Sequence, residues 1–442
     1  MAMENPKLAD VSKPNLYREV FPYTEFPKVV FDHRQVKYEI PKDIWVTDTT
    51  FRDGQQARPP YTPQQILHIY DLLHKIDGDT GLIRQCEFFL YTDRDRKAVE
   101  LCQQRGYKFP QITGWIRAVE ADFKLVGQMG LSETGILTSA SDYHIFLKLK
   151  KTRAQAMDAY LKIAKASLDS GIVPRCHLED ITRADYEGFV LPFAAELMKL
   201  AQEYKKPVKI RLCDTMGFGL PWAESALPRS VPKLISGLRQ VGVPAEWLEW
   251  HGHNDLHKVQ INAAAAWLYG CCAVNSSIFG VGERTGNSPL EAMVIEHAQL
   301  KGMLPGVNYP AITELANYAK KELGFKIPSN YPLAGTDFNV TRAGIHADGL
   351  LKDEEIYNCF DTKNLLGRPA GVAITDKTGA AGIKHWIETW FQIEIAKHDA
   401  RVTKIKDKID AEYSVDRISA ISDDEMFKWA REVFGDNLPP LR

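Results

Sequence analysis

Between residues 44 and 310 the chain alternates eight times between a short apolar segment and a longer segment of helical period. No other feature restricts the fold so strongly. The expected strands are "DIWVTDTT", "IRQCEFFL", "QITGWI", "ETGILTSAS", "IVPRCHLED", "VKIRLCDTMG", "EWLEWHGHND" and "AVNSSIFGVG". The helix in "TPQQILHIYDLLHKI" has Thr62 to cap it, Pro63 at its first position, and Ile66, Tyr70 and Leu73 on one stripe. "TRAQAMDAYLKIAKASLDSG" is amphipathic and closed by Gly171. Eight such units over roughly 265 residues predict a (β/α)8 TIM barrel rather than an open sheet.

The flanks differ. Residues 1–43 are rich in Pro, Lys and aromatics and lack periodicity, which predicts an extended arm. Residues 311–442 predict a separate, mostly helical region. It contains "NYPAITELANYAKKELGF", "TGAAGIKHWIETWFQIE" and the capped helix "SDDEMFKWAREVFG". Trp386, Trp390 and Trp429 read as packing groups of those helices.

Composition excludes several function classes. With 442 residues and 45% hydrophobic content, a large core can be buried. A net charge of -2 gives no global attraction to nucleic acid or to a membrane surface. No apolar run is long enough to span a bilayer, and the N-terminus lacks an apolar signal segment. The seven cysteines form no CxxC pair, which suits a reducing, cytoplasmic setting.

The polar residues are concentrated at the ends of the expected strands, the face on which such barrels carry their chemistry. Arg52, Asp53, Glu87, Arg117, Glu179, Asp214, His251, His253 and Glu283 all fall there. In "HGHND" the residues at i and i+2 share a strand face, so His251 and His253 can offer two imidazoles to one metal ion. Asp53, ending the first strand, can add a carboxylate and leave positions open for a substrate. The mixed nitrogen and oxygen set suits Mn2+, Mg2+, Zn2+ or Co2+. "GVGERTGN" is not a dinucleotide loop, because its glycines fall as GxGxxxG. Gly282 and Gly286 would let backbone amides approach a ligand, bracketed by Glu283 and Arg284. Arg175, His177, Glu179 and Thr215, on two neighbouring strand ends, could hold a carboxylate.

Four motifs in order, "DTTFRDGQQ", "HGHND", "GVGERTGN" and "AGIHADG" (343–349), resemble the metal-dependent TIM-barrel acyl-CoA condensing enzymes and lyases. That family includes 2-isopropylmalate synthase, homocitrate synthase and hydroxymethylglutaryl-CoA lyase. The resemblance spans about residues 44–390. It implies metal ligation by Asp53, His251 and His253, with Asn287 as a weaker ligand, and Mn2+ as the first expectation. It implies that Arg52 steadies a keto oxygen, that Glu179 lies near an acetyl methyl group, and that His144 and Thr215 bind substrate. Arg175, with His177, would take a distal carboxylate. The family usually has a small residue such as Ser where His177 stands. His346 and Tyr357 would enter the site, in the family often from a partner subunit, so a homodimer is expected. The "GVGERTGN" glycines, Glu283 and Arg284 would admit the CoA thioester. The long arm, "TDTTFRDGQQARPPYT" and "GVAITDKTGAAGI" point within the family to condensation of acetyl-CoA with oxaloacetate, giving citrate and CoA. Homocitrate and 2-isopropylmalate or citramalate synthesis are the alternatives.

Overall fold

The computed structural model describes residues 6–22, 24, 29–342, 346, 349–350, 352–396, 398–435 and 438–439. Eight parallel strands form in chain order. They are β1 (Trp45–Asp48), β2 (Ile83–Phe89), β3 (Gln111–Ile116), β4 (Glu133–Ser139), β5 (Val173–Glu179), β6 (Lys209–Asp214), β7 (Leu248–Gly252) and β8 (Ala273–Ser277). Each pairs with the next, and β1 pairs with β8 through Asp48 and Ser276, which closes the barrel. A two-residue strand, Ser288–Pro289, adds to the edge of β8.

A helix follows each strand. These are α1 (Pro63–Asp77), α2 (Asp93–Gln103), α3 (Phe123–Gln128), α4 (Arg153–Asp169), α5 (Leu191–Tyr204), α6 (Val231–Gln240), α7 (Val259–Leu268) and α8 (Leu290–Lys301). Their boundaries follow local chemistry. Thr62 caps α1 by accepting from the Gln65 backbone amide, and Gln65 returns the bond to the Thr62 amide. Gly78, at φ 59°, ends the helix in the left-handed conformation. The expected strands are all present but stop earlier than "EWLEWHGHND" and "AVNSSIFGVG" suggest, because the polar and glycine-rich ends leave the ladder as loops.

The barrel interior is unusually polar for this architecture, where branched apolar side chains normally fill the layers. Gln85, Glu87, Glu133, Arg175, Arg211 and Glu249 are all buried inside it. The described part of the arm forms no helix or strand, and it is tied to the barrel by hydrogen bonds, by an isolated bridge from Phe31 to Ser225 and by an ion pair from Asp32 to Lys233. Ala9 donates to the Gly188 carbonyl, Asn15 to Asp142 and Glu39 to the Leu268 carbonyl. Buried Arg153 anchors it further, donating to the Ala9 carbonyl and to Asp142 and Asp185.

The chain divides into two compact units, Met1–Asn308 and Tyr309–Arg442. The second contains α9 (Ala311–Glu322), α10 (Thr362–Leu366), α11 (Ala380–Phe391), α12 (Ala400–Tyr413) and α13 (Asp423–Phe434). Helices α11 to α13 share one apolar core, in which Ile387, Ile405, Ile409 and Met426 are buried. Trp386 and Trp429 belong to this core, whereas Trp390 is 43% exposed. Of the "AGIHADG" run only His346 and Gly349 lie within the described residues.

Candidate metal centre and active site

Asp53 opens a one-turn helix, Asp53–Gln56, directly after β1. His251 lies near the end of β7, and His253 follows just beyond it. One ligand atom from each of the three comes within 4.8 Å of the others. His251 Nε2 is 3.3 Å from His253 Nε2, and His253 Nε2 is 3.8 Å from Asp53 Oδ2. All three side chains are buried. Asn287, after β8, donates from Nδ2 to Asp53 Oδ2 at 2.6 Å. Among the described residues, Asn287 Oδ1 and His253 Nδ1 are buried without a hydrogen-bond partner. Two imidazole nitrogens facing each other beside a carboxylate, with an unpartnered amide oxygen at the rim, form a donor set that fits a divalent cation.

The electrostatics agree with that donor set. Burial, and then the neighbouring His253, push His251 well below the ordinary imidazole range, so the ring is neutral. Burial alone would raise Asp53, but Arg52, the two imidazoles and the Asn287 amide outweigh it and keep the carboxylate ionised.

Arg52 links this cluster to the barrel interior. It donates from Nε to Glu87 Oε2 at 2.8 Å and from Nη1 to Asp53 Oδ1 at 3.0 Å. Glu87 also accepts from Arg211 Nη1 at 2.9 Å and from Arg175 Nη2 at 3.0 Å. Burial acts to raise Glu87, but these cations hold it well below the usual carboxylate range.

A second group lies on β4 and β5. Glu179 accepts from Ser139, and its Oε2 is 3.0 Å from His144 Nδ1 and 3.5 Å from Lys148 Nζ. Burial opposes ionisation of Glu179, but His144, Ser139 and Lys148 together bring it down to about 2. Thr215 accepts from the Asp180 backbone amide at 2.8 Å.

Arg175 is turned into the barrel interior. Its guanidinium donates to Gln85, Glu133, Glu87 and Thr113, and the residue is 2% exposed. Both Nη atoms are thus engaged inside the barrel, and Nε lies 3.3 Å from Glu249 Oε2. His177 is also buried, its Nε2 3.6 Å from Glu87 Oε1. Burial, followed by Arg211, keeps its ring neutral, so it can offer an N–H but not a full positive charge. Gly135 makes room for this ring, since a Cβ there would fall 2.5 Å from His177 Nε2.

In "GVGERTGN" the glycines have a local task at the cluster. A Cβ on Gly282 would lie 2.3 Å from Asn287 Nδ2 and 3.2 Å from Asp53 Oδ2. Gly286 has a φ of +89° and would bring a Cβ to 2.1 Å from the Gly280 carbonyl oxygen. Arg284 is held by Asp255 at 2.9 Å and donates to the Thr215 carbonyl, while Glu283 is exposed. In the second unit the rings of His346 and Tyr357 lie 4.4 Å apart, and both residues are exposed.

Thr47, Arg211, Glu249 and Asn275 did not stand out in the sequence, yet they connect to the ligand cluster. A signal existed: Glu249 is two residues before His251 and Arg211 two before Cys213, so each faces the interior with its partner.

A closed (β/α)8 barrel that gathers a carboxylate and two imidazoles above its strands defines a barrel class organised around a candidate cation site. The chain belongs to the HMGL-like family, whose model matches residues 43–318. It is 53% identical to the citrate (Re)-synthase of Clostridium kluyveri, over 95% of this chain and 94% of that protein. It is also 53% identical to the citrate (Re)-synthase of Syntrophus aciditrophicus, over 99% of this chain and 71% of that one. The fold is shared with the HMG-CoA lyase of Bacillus subtilis, at a TM-score of 0.52 and 17% identity, covering 66% of this chain and 97% of that structure.

Proposed function

We propose that this chain joins acetyl-CoA to oxaloacetate and, with water, releases citrate and CoA. The carrying observation is the Asp53, His251 and His253 cluster with Arg52 fixed beside it, in a chain whose 53% identical relatives bear the name citrate (Re)-synthase. A divalent cation, Mn2+ by our reading, held by Asp53, His251, His253 and Asn287, would supply Lewis-acid polarisation of the keto oxygen and lower the cost of charge there.

The chain's own residues account for the rest. Arg52 uses Nε for Glu87 and Nη1 for Asp53, so its orientation is fixed, and it is assigned to donate to the developing oxyanion. A base takes a proton from the acetyl methyl group, and the resulting carbanion carbon forms a bond to the keto carbon. Glu179, with its Oε2 3.0 Å from His144 Nδ1, is assigned with His346 to the acetyl methyl group. Proton removal is assigned to His346, assisted by Tyr357, on the strength of the "AGIHADG" resemblance. The neutral His177 N–H, His144 and Thr215 are assigned to the carboxylates of oxaloacetate. Glu283, Arg284 and the adjoining glycines are assigned to the CoA side. Hydrolysis of the citryl thioester then breaks the carbon–sulfur bond, transfers the acyl group to water and releases CoA as the thiol.

The barrel, taken as residues 44–310, is the catalytic domain in this reading, and residues 311–442 contribute His346 and Tyr357 and the contacts of a homodimer. No helix among the described residues is long and apolar enough to cross a membrane. All seven cysteines are free, the state that a reducing compartment maintains and a support for cytoplasmic placement.

The test is a panel of 2-oxo acids with acetyl-CoA, followed by thiol release and product mass. Oxaloacetate should be used in strong preference to 2-oxoglutarate, 3-methyl-2-oxobutanoate and pyruvate. Preference for any of those three would replace this reading with the corresponding synthase.

A further inference from the structure

A directed chain of hydrogen bonds starts beneath the candidate metal centre. His251 Nδ1 is 2.8 Å from Asn275 Oδ1. Asn275 Nδ2 donates to Thr47 Oγ1 at 2.9 Å. Thr47 Oγ1 donates to Glu249 Oε1, while Glu249 Oε2 accepts from Arg211 Nε. Arg211 continues to Glu87 at 2.9 Å, Glu87 to Arg52, and Arg52 to Asp53. Every member is buried, and the chain runs through β8, β1, β7, β6 and β2 before returning to the cluster.

The direction of each bond follows from chemistry. Glu249 lies between Arg211 and Arg175 Nε, the latter at 3.3 Å, so it is ionised and can only accept. Thr47 must therefore give its hydroxyl proton to Glu249. Its other possible acceptor, the Val274 carbonyl, is 3.5 Å away. Having given its proton, Thr47 Oγ1 can only accept from Asn275, which turns the amide nitrogen toward Thr47 and the amide oxygen toward His251. His251 must then carry its proton on Nδ1, and Nε2, the atom facing His253 and Asp53, has a free lone pair.

We propose that Thr47 and Asn275 are positioning residues that, oriented by the carboxylate of Glu249, lock His251 in the one tautomer able to ligate a cation through Nε2. The inference rests on the metal reading above and adds to it the device that prepares the ligand before any cation arrives. Hydrogen bonds that orient a ligating imidazole are commonly worth about 10- to 100-fold in metal affinity.

The experiment compares the wild-type chain with Thr47→Val, Thr47→Ser and Asn275→Asp. Nitrogen-15 shifts of His251 are read in metal-free protein, and Mn2+ affinity by calorimetry. The wild type should show a single Nδ1–H tautomer. Thr47→Val should populate both tautomers and bind Mn2+ about 10-fold or more weakly. Thr47→Ser, which keeps the hydroxyl, should restore both readings. Asn275→Asp, whose carboxylate only accepts, should keep the Nδ1–H tautomer and carries the test if Thr47→Val does not fold. A folded Thr47→Val with wild-type affinity and one tautomer would overturn the proposal, as would an Nε2–H tautomer in the wild type or in Asn275→Asp. A wild type with the expected tautomer but no Mn2+ binding would instead overturn the metal reading on which the proposal rests.

Discussion

Asn287 places its side-chain nitrogen 2.6 Å from Asp53 Oδ2, although 234 residues separate the two along the chain. The contact joins the loop after β8 to the turn after β1, across the seam where the barrel closes. Replacing Asn287 with Ala removes a bond to Asp53 and the unpartnered amide oxygen together. Mn2+ affinity should fall about 10-fold or more, with little change in the unfolding midpoint. Competition against a fluorescent chelator measures the first and thermal unfolding the second.

Gly282 tests the same corner from the opposite direction. Its absent Cβ is what lets Asn287 and Asp53 meet, so Gly282→Ala should push Asn287 aside. Metal affinity should drop as in Asn287→Ala, and the two losses should not add when combined, since both act on one contact. Additive losses in the double variant would place Gly282 outside this arrangement.

Glu87 holds Arg52, Arg175 and Arg211 at once and is 1% exposed. Glu87→Gln leaves three buried guanidinium groups with a weaker partner. The expected cost is about 3–5 kcal/mol of stability, the range for breaking a buried ion pair from one side. Urea unfolding measures it. A cost of a few tenths would mean that the arginines re-pair with Glu133 and Glu249.

The pH dependence of stability follows from opposed carboxylates. Glu179 has its folded value depressed to about 2, so its contribution is complete above the ordinary value of 4.5 and is lost as pH falls from there toward 2. Asp48 is pushed the other way, to about 7 by burial, so its contribution is complete below 3.8 and is lost as pH rises toward 7. Glu179→Gln should therefore lower stability by a constant amount above about pH 5 and flatten the decline on the acid side, leaving the slope between about pH 5 and 7 as it is. Urea midpoints measured from about pH 2 to pH 7 give the profile.

Much of this molecule can be read from its strand ends. "QITGWI" is β3 residue for residue, and Thr62 and Pro63 begin α1 where capping chemistry places them. Asp53, His251 and His253 converge because each lies at or just past the end of a strand whose position around the barrel is set by its order in the chain. The interior network was harder to see. Glu249 and Arg211 sit in short strands that read as ordinary polar alternation, and only closure of the barrel turns their faces toward one another. Arg175 illustrates the converse: its charge suggested a substrate contact, but Glu87, Glu133 and Glu249 were already within reach of it. Helix α12 buries a narrow stripe of Val402, Ile405 and Ile409 among lysines and aspartates.

The most direct measurement is thiol release from acetyl-CoA with oxaloacetate, using chelator-stripped protein before and after Mn2+ is returned, alongside Asp53→Ala. The account predicts no release from stripped protein, recovery on adding Mn2+, and no recovery for Asp53→Ala. Equal rates with and without the cation, or full recovery in Asp53→Ala, would contradict it.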